Sequence, residues 1–491
     1  METVLNSILP KIKIIYILSI ILILSGFTHL WNAIGFPDLF FDEGVYMGRA
    51  MHVLNGLGMQ SGTFYDHPYF GQIFLAAFLG LIGFPNSLHV TTYPESISTL
   101  YLIPRIIMGL LAVLDTFLVY KIADTKYGKK IGLISALLFA VMPITWVMRM
   151  ILLDSILLPF LLLSILLALK IKDSNNKNVL LLFSGICLGV AIFTKIPVFT
   201  MIPLIAALVY FNTGKPKTLL LWILPVILIP LIWPLQAIET HQFDLWLKDV
   251  ISQSQRHSNG LPYISLIFFR IDPVLFSLGI GGAILAILRK DFFILAWTTP
   301  FIIFLYLIGY NQYFYWIPVL PIICISSSVL IVNLLGQIKE KKKYIVSSLG
   351  IISGLAIFGF VSTILIISVN VTTSEFRTAS FVIQTLTDKD TTVLANPTYS
   401  WVLNYIFHKE NTPDDYSFIL FYPIKTEKVL LVADPHFLID LERGKELQQI
   451  YNDSKTIATF DEDLTKYDMT QYPYSSLKMN LDGEHIEIKM K

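Results

Sequence analysis

A polytopic bundle of membrane-spanning helices with a small C-terminal α/β domain is the fold class that this sequence predicts, on three observations. Hydrophobic residues make up 55% of the chain and charged residues only 14%, with a mean hydropathy of +0.66, which is too apolar for a water-soluble protein. The apolar residues gather in eleven runs close to the length of about 20 residues that crosses a bilayer. From about residue 371 this pattern stops, and short segments of alternating helical and strand-like character take over.

The runs fall near residues 14–34, 102–120, 131–147, 152–169, 178–194, 197–212, 218–236, 272–288, 292–309, 314–336 and 344–369. Lys11 and Lys13 ahead of the first run resemble the start of a signal peptide, but the run reaches Leu30 with no small-residue cleavage site after it, so a retained span is expected. A further apolar run, Tyr69 to Phe84, is expected to lie on the membrane surface, because a crossing there would turn Lys121 to Lys130 outward. Cytoplasmic loops carry an excess of Lys and Arg. With the N-terminus inside, the inner segments hold seventeen such residues, and the outer segments before residue 370 hold seven. A multi-pass protein of the cell membrane follows, with the loop 35–101 and the C-terminal region outside the cytoplasm.

In that first outer loop a surface helix is expected from about Glu43 to Asn55, ended by Gly56-Leu-Gly58. A second is expected to start at Pro68, since proline's missing N–H costs nothing at a helix N-terminus. Domain boundaries are read at 1–370 for the membrane part and 371–491 for the α/β part. Within the latter, helices are expected at 374–386, 399–407 and 439–451, and strands at 392–395, 418–422, 428–433 and 456–460. Asn370-Val-Thr372 and Asn452-Asp-Ser454 fit the glycosylation triplet, a pattern that chance often produces.

A net charge of +1 without any basic block interleaved with aromatics excludes a nucleic-acid role. Cys187 and Cys324 sit inside apolar runs without metal or redox spacing and read as core residues.

The chemistry-bearing residues collect on the expected outer face. Asp42 and Glu43 stand side by side where the first span meets the loop. Helix capping, with Asp42 as N-cap and Glu43 in the first turn, is one reading. A general base beside an orienting neighbour is the other, and the two are compatible. Arg105 opens the second span, Arg149 and Asp154 flank a tight outer turn, Lys195 occupies another, and Arg256 and His257 lie in the long loop from Glu239 to Arg270. Individually these read as a hairpin ion pair, for Arg149 with Asp154, or as cations snorkelling to headgroups. Together they place five cations beside the carboxylates, a cluster suited to a lipid-linked phosphate. Asp115 is the one acid well inside a span, ten residues below Arg105, or about 15 Å. It reads either as a functional group or as a satisfied contact within the bundle.

The stretch Gly35 to Ala50 with Phe64 to Tyr69 resembles the first outer loop of the GT-C glycosyltransferases, in particular the protein O-mannosyltransferase and aminoarabinose-transferase branch. There an Asp-Glu pair precedes a Tyr-x-x-x-Ala helix, and a basic residue followed by Pro comes a little later; here these read Asp42, Glu43, Tyr46, Ala50, His67 and Pro68. Arg105, the Arg149 to Asp154 turn, Thr194-Lys195 and the turn Tyr315-Trp-Ile-Pro318 continue the resemblance in order as far as about residue 340. One departure stands out: many relatives carry Arg in the last of these turns where this chain has Phe314.

The resemblance implies transfer of a sugar from a polyprenyl-phosphate carrier to a protein, lipid or glycan hydroxyl at the outer face, with inversion. Asp42 would remove the acceptor proton and Glu43 would place it or a partner cation. His67, Arg105, Arg149, Asp154, Lys195, Arg256 and His257 would serve the carboxylates and the phosphate. Such a transfer needs one base and a stabilised leaving group. No cofactor is obligatory on this reading, because the Trp-Trp-Asp-Tyr-Gly motif of the metal-using oligosaccharyltransferases of the superfamily is absent. Asp42, Asp154 and His257 are nevertheless suitable donors for a divalent cation. A transporter, the main alternative, predicts mid-membrane polar clusters and two similar halves, and the sequence shows neither. A noncatalytic scaffold whose outer domain binds a partner is a third reading.

Overall fold

The computed structural model describes residues 11–62, 64–256, 260–386, 390–420, 422–434, 445–462 and 484–491. Among the described residues, six segments are long and apolar enough to cross a membrane: Pro94–Tyr127, Leu153–Lys170, Lys177–Thr194, Ile196–Thr213, Tyr313–Gly336 and Lys341–Ile367. Two bent pairs, Lys129–Val141 with Pro143–Arg149 and Lys217–Leu228 with Ile232–Glu239, turn through 69° and 43°, and bring the total to eight if each is one span. The breaks fall at Pro143 and Pro230, where a missing N–H interrupts the helical ladder. The other three expected runs are shorter apolar helices, Ile14–Leu30, Pro273–Arg289 and Phe292–Ile308. All eleven runs are thus helical, while length alone qualifies only some of them to cross.

Glycines let the spans approach closely. On Lys177–Thr194, Gly185 and Gly189 face Lys217–Leu228, where an added Cβ would overlap the carbonyls of Trp222 and Pro225. Two small residues four apart make one stripe of a helix, the spacing that lets two backbones touch in lipid.

The loop after the helix Lys11–Leu30 holds the helices Phe41–Leu54 and Phe70–Leu81. The second is 12 residues long, or about 18 Å at 1.5 Å per residue, far short of a crossing. It starts two residues after Pro68 rather than on it. The first ends where Gly56 takes φ +72°, a left-handed conformation that glycine adopts without steric cost.

The C-terminal region contains the helix Thr373–Thr385 and a four-stranded sheet: β1 (Thr391–Leu394), β2 (Lys428–Ala433), β3 (Lys455–Glu462) and β4 (Glu484–Met490). The strand order is β1-β2-β4-β3, with β1 and β2 parallel and the other pairings antiparallel. Three expectations change. The strand expected at 418–422 is a 3₁₀ turn, Tyr416–Leu420. The helix expected from residue 399 runs as Pro397–Trp401 and widens into a π-helix over Val402–Ile406. The helix expected at 439–451 is described as Lys445–Asp453, its earlier residues lying outside the described ones.

This region is stitched to the first loop rather than hung from the bundle. Val371 N donates to Gly35 O at 2.8 Å, Thr372 Oγ1 to Ile34 O at 2.8 Å, and Leu39 N to Glu375 Oε1 at 3.2 Å. One buried apolar core runs through both parts.

Candidate active site

The site grows from the Phe41–Leu54 helix, whose first turn separates the two adjacent acids. Glu43 is fully buried. Its carboxylate accepts from Phe40 N at 3.0 Å, Ile151 N at 2.9 Å, Arg105 Nε at 3.0 Å and Arg105 Nη2 at 2.6 Å. It therefore caps its own helix and ties it to two other segments. Asp42, expected as the N-cap, lies inside the helix, and Phe40 stands at the cap.

Arg105 is equally buried and gives Nη1 to the carbonyls of Ala33 (3.1 Å) and Pro37 (2.7 Å) and Nη2 to that of Asp38 (2.7 Å). With its two bonds to Glu43 it makes five donations, the full complement of a guanidinium. Of the carboxylates and the phosphate that Arg105 was expected to serve, its donors are spent on the Glu43 carboxylate and on the loop carbonyls.

The expected Arg149–Asp154 ion pair is also corrected. Arg149 closes a 3₁₀ turn and Asp154 opens the next helix, and the extended residues Met150 and Leu152 between them carry the two side chains apart. Arg149 turns inward, donates Nη2 to Trp31 O and lies 5.9 Å from the Phe36 ring centre. Asp154 instead pairs with Lys195 at 2.6 Å, both almost wholly buried. The Lys195 ammonium also sits 4.2 Å from the ring centre of Tyr315 and 5.1 Å from that of Phe314, in the favourable region over an aromatic face. Phe314 and Tyr315 thus both face the Lys195 ammonium.

Asp42, Tyr46 and Arg49 recur at i, i+4 and i+7 and so share one face of the helix. Arg49 pairs with Asp66 at 2.7 Å. Asp66 also accepts from His67 N at 2.9 Å, and the His67 and Tyr46 rings are 6.2 Å apart. The segment Tyr65–Tyr69 is held from behind, by Asp249, which accepts from Tyr65 N at 2.9 Å, and by Gln236, which accepts from Tyr69 OH at 2.6 Å. Sequence reasoning overlooked the Arg49–Asp66 pair, although the helical spacing from Asp42 to Arg49 carried the signal.

Four carboxylates meet here, and three are neutralised: Glu43 by Arg105, Asp66 by Arg49 and Asp154 by Lys195. Asp42 alone of the four has neither a hydrogen bond nor an ion pair among the described residues, and it keeps a partial opening. Burial raises its pKa from 3.8 to about 6; Lys195 and Arg49 oppose the rise, and Asp66 and Asp154 add to it. Burial alone would raise Asp66 as well, but Arg49 and His67 hold it below its ordinary value. Burial lowers His67 to about 4 against the pull of Asp66, so its ring is neutral near pH 7 and offers a hydrogen bond rather than a charge.

Arg256 is exposed, 5.9 Å from the ring centre of Phe64 and 5.5 Å from that of Tyr310, and its charge reaches His67. His257 lies outside the described residues. Asp115 is not brought to the site: it stays buried within Pro94–Tyr127 with no hydrogen-bond partner for either oxygen. Among the described residues no three His, Cys, Asp or Glu side chains are grouped to hold a metal ion.

Residues 19–244 match the family model described as dolichyl-phosphate-mannose-protein mannosyltransferase, the stretch that supplies Asp42, Arg49, Asp66, His67, Asp154 and Lys195. ArnT from Cupriavidus metallidurans bound to undecaprenyl phosphate has the same architecture, with a TM-score of 0.60 over 97% of both chains at 13% identity. The fold is that of the GT-C glycosyltransferases. The GT-C architecture is shared with the Archaeoglobus fulgidus oligosaccharyltransferase tethered to an acceptor peptide containing the NVT sequon. That likeness has a TM-score of 0.61 and 10% identity, over 89% of this chain and 70% of that one. The archaeal oligosaccharyltransferase AglB from the same organism, in complex with an inhibitory peptide and a dolichol-phosphate, gives a TM-score of 0.55 at 11% identity, over 87% and 70% of the two chains. No curated protein sequence matches the chain. Within the GT-C fold, the carboxylate cluster sits in the first long loop, after the helix Lys11–Leu30.

Proposed function

We propose that the protein transfers a sugar from a polyprenyl-phosphate carrier to an acceptor hydroxyl at the extracytoplasmic face of the cell membrane, by single inverting displacement with Asp42 as general base. The observation that carries this reading is the isolation of the Asp42 carboxylate among three acids already matched to cations. An unpaired carboxylate with its pKa moved toward neutrality is suited to accept a proton as the acceptor oxygen attacks. Arg256 is held against aromatic rings rather than by an acid in the described ion pairs, which leaves its charge available to a leaving phosphate. Lys195 adds positive potential from behind Asp154. His67 donates or accepts at the mouth as a neutral ring. The relatives' printed ligands, undecaprenyl phosphate and dolichol-phosphate, support a polyprenyl phosphate as carrier. The acceptor is a protein, lipid or glycan hydroxyl. No metal takes part in this reading, because Asp154 is engaged by Lys195 and the base acts through Asp42 alone. A chelator is therefore expected to leave turnover unchanged.

The test is release of polyprenyl phosphate from labelled polyprenyl-phosphate sugars by purified protein, followed across pH. The base works as the carboxylate, so turnover should rise as pH passes through about 6 and then level off. A rising limb near 4, the ordinary range of an aspartate, or no limb at all would assign the base elsewhere.

A further inference from the structure

The Phe41–Leu54 helix has two working faces. Asp42, Tyr46 and Arg49 turn toward the site, Gly44 and Gly48 lie on the other side, and His52 lies on the flank between the two faces. At 100° per residue Gly44 is about 200° from Asp42, so the docking face is nearly opposite the reacting one.

That second face is pressed against the C-terminal region. A Cβ on Gly44 would overlap the carbonyl group of Pro397 and the nitrogen of Thr398, all backbone atoms that cannot swing away. One turn on, Gly48 has room for a Cβ at an ordinary 3.5 Å from the Cβ of Trp401. A further turn on, Tyr405 OH lies 3.3 Å from His52 Nδ1. The opposing segment, Pro397–Trp401 continued by the π-helix Val402–Ile406, is itself fixed. Asn396 Oδ1 accepts from Thr398 N at 2.8 Å at its start. Tyr101 OH donates to Thr398 O at 2.7 Å while accepting from Trp401 Nε1 at 2.7 Å. Tyr399 OH donates to Asp434 Oδ2 at 2.7 Å, just past the end of β2. The chain of contact from the sheet to the reacting face is therefore Asp434, Tyr399, the Pro397–Thr398 backbone, Gly44 and, across the helix, Asp42.

We infer that the C-terminal domain is a positioning element of the transferase, setting the depth of Asp42 in the site through the contact of Pro397–Tyr405 with Gly44 and His52. This rests on the reading of Asp42 as base. A displacement of about 1 Å in a reacting group costs on the order of 10²-fold in rate, so a contact with no slack on the far side of the helix is a control on turnover rather than on binding of the carrier.

Three variants test it, each assayed for kcat and for KM toward a labelled polyprenyl-phosphate sugar, with the pH profile and the melting temperature. Gly44→Ala should push the helix toward the site, lower kcat by on the order of 10²-fold with little change in KM, and move the rising limb of the profile, because the new position changes how deeply Asp42 is buried. Tyr405→Phe, which keeps the ring and removes the hydroxyl, should give a smaller loss of the same kind with an unchanged melting temperature. Gly48→Ala should leave kcat, KM and the profile in place. If Gly44→Ala fails to fold, Tyr405→Phe against Gly48→Ala still decides. Unchanged kcat and profile in Tyr405→Phe, or equal losses in kcat and melting temperature across all three, would overturn the inference. Asp42→Asn separates this from the parent reading: activity retained there removes the base, whereas activity lost there but intact in Gly44→Ala and Tyr405→Phe removes only the positioning role.

Discussion

Replacement of Asp42 by Asn should lower turnover by about 10²- to 10⁴-fold, the usual contribution of a positioned general base, while the protein folds and binds its lipid carrier as before. The reason lies in the local electrostatics. Among the described residues Asp42 makes no hydrogen bond or ion pair that asparagine would break, and Asp66, Asp154 and Glu43 keep their own cations. An amide is close to a carboxylate in size and removes both the charge and the basicity. The stability change should be small and in the favourable direction at neutral pH. A carboxylate whose pKa is raised from 3.8 to about 6 by burial favours the folded state most below its unfolded value, and that benefit is lost as pH rises through 6. Turnover by polyprenyl-phosphate release, carrier binding and melting temperature in detergent give the three readouts. Turnover within tenfold of the parent would sink the assignment.

The second large effect concerns structure. Arg105→Gln should cost about 3–5 kcal/mol of stability, the range for breaking a buried ion pair from one side, because it leaves the Glu43 carboxylate in a dry interior and removes donors from the carbonyls of Ala33, Pro37 and Asp38. For many proteins that is a large share of the total, so little folded material is expected. Adding Glu43→Gln should recover part of the loss by removing the stranded charge. A double-mutant cycle on melting in detergent measures this; strict additivity of the two losses would show that the pair is not coupled.

Much of this site was legible from the chain. The spans could be read because lipid-facing helices must be apolar along their whole length, and the carboxylates, His67 and Lys195 stood out as polar residues next to such runs. What failed was pairing. Arg149 and Asp154 are near in sequence, and nearness suggested an ion pair, but the extended link from Met150 to Leu152 sets them apart and Lys195 arrives from the next helix. Arg105 was expected to serve carboxylates and phosphate alike, and sequence does not reveal that Glu43 and three loop carbonyls would take up its whole guanidinium. The sheet shows the same limit. β4 alternates Ile486, Ile488 and Met490 with Glu487 and Lys489, a strand pattern that was present and unread because it follows a long polar stretch. The aromatic run at 418–422 looked like a strand, but it makes a turn with Phe418 and Tyr422 stacked 4.5 Å apart.

The bonds that tie Gly35 and Leu39 to Val371 and Glu375 bear on how the protein is made. The ribosome delivers the loop of Asp42 early and the residues that brace it much later, so every intervening helix must be made before the bonds around the carboxylate cluster can close. A nascent chain released short of residue 401 would leave the Asp42 helix unbraced, and resistance of that loop to protease should be acquired late and in one step.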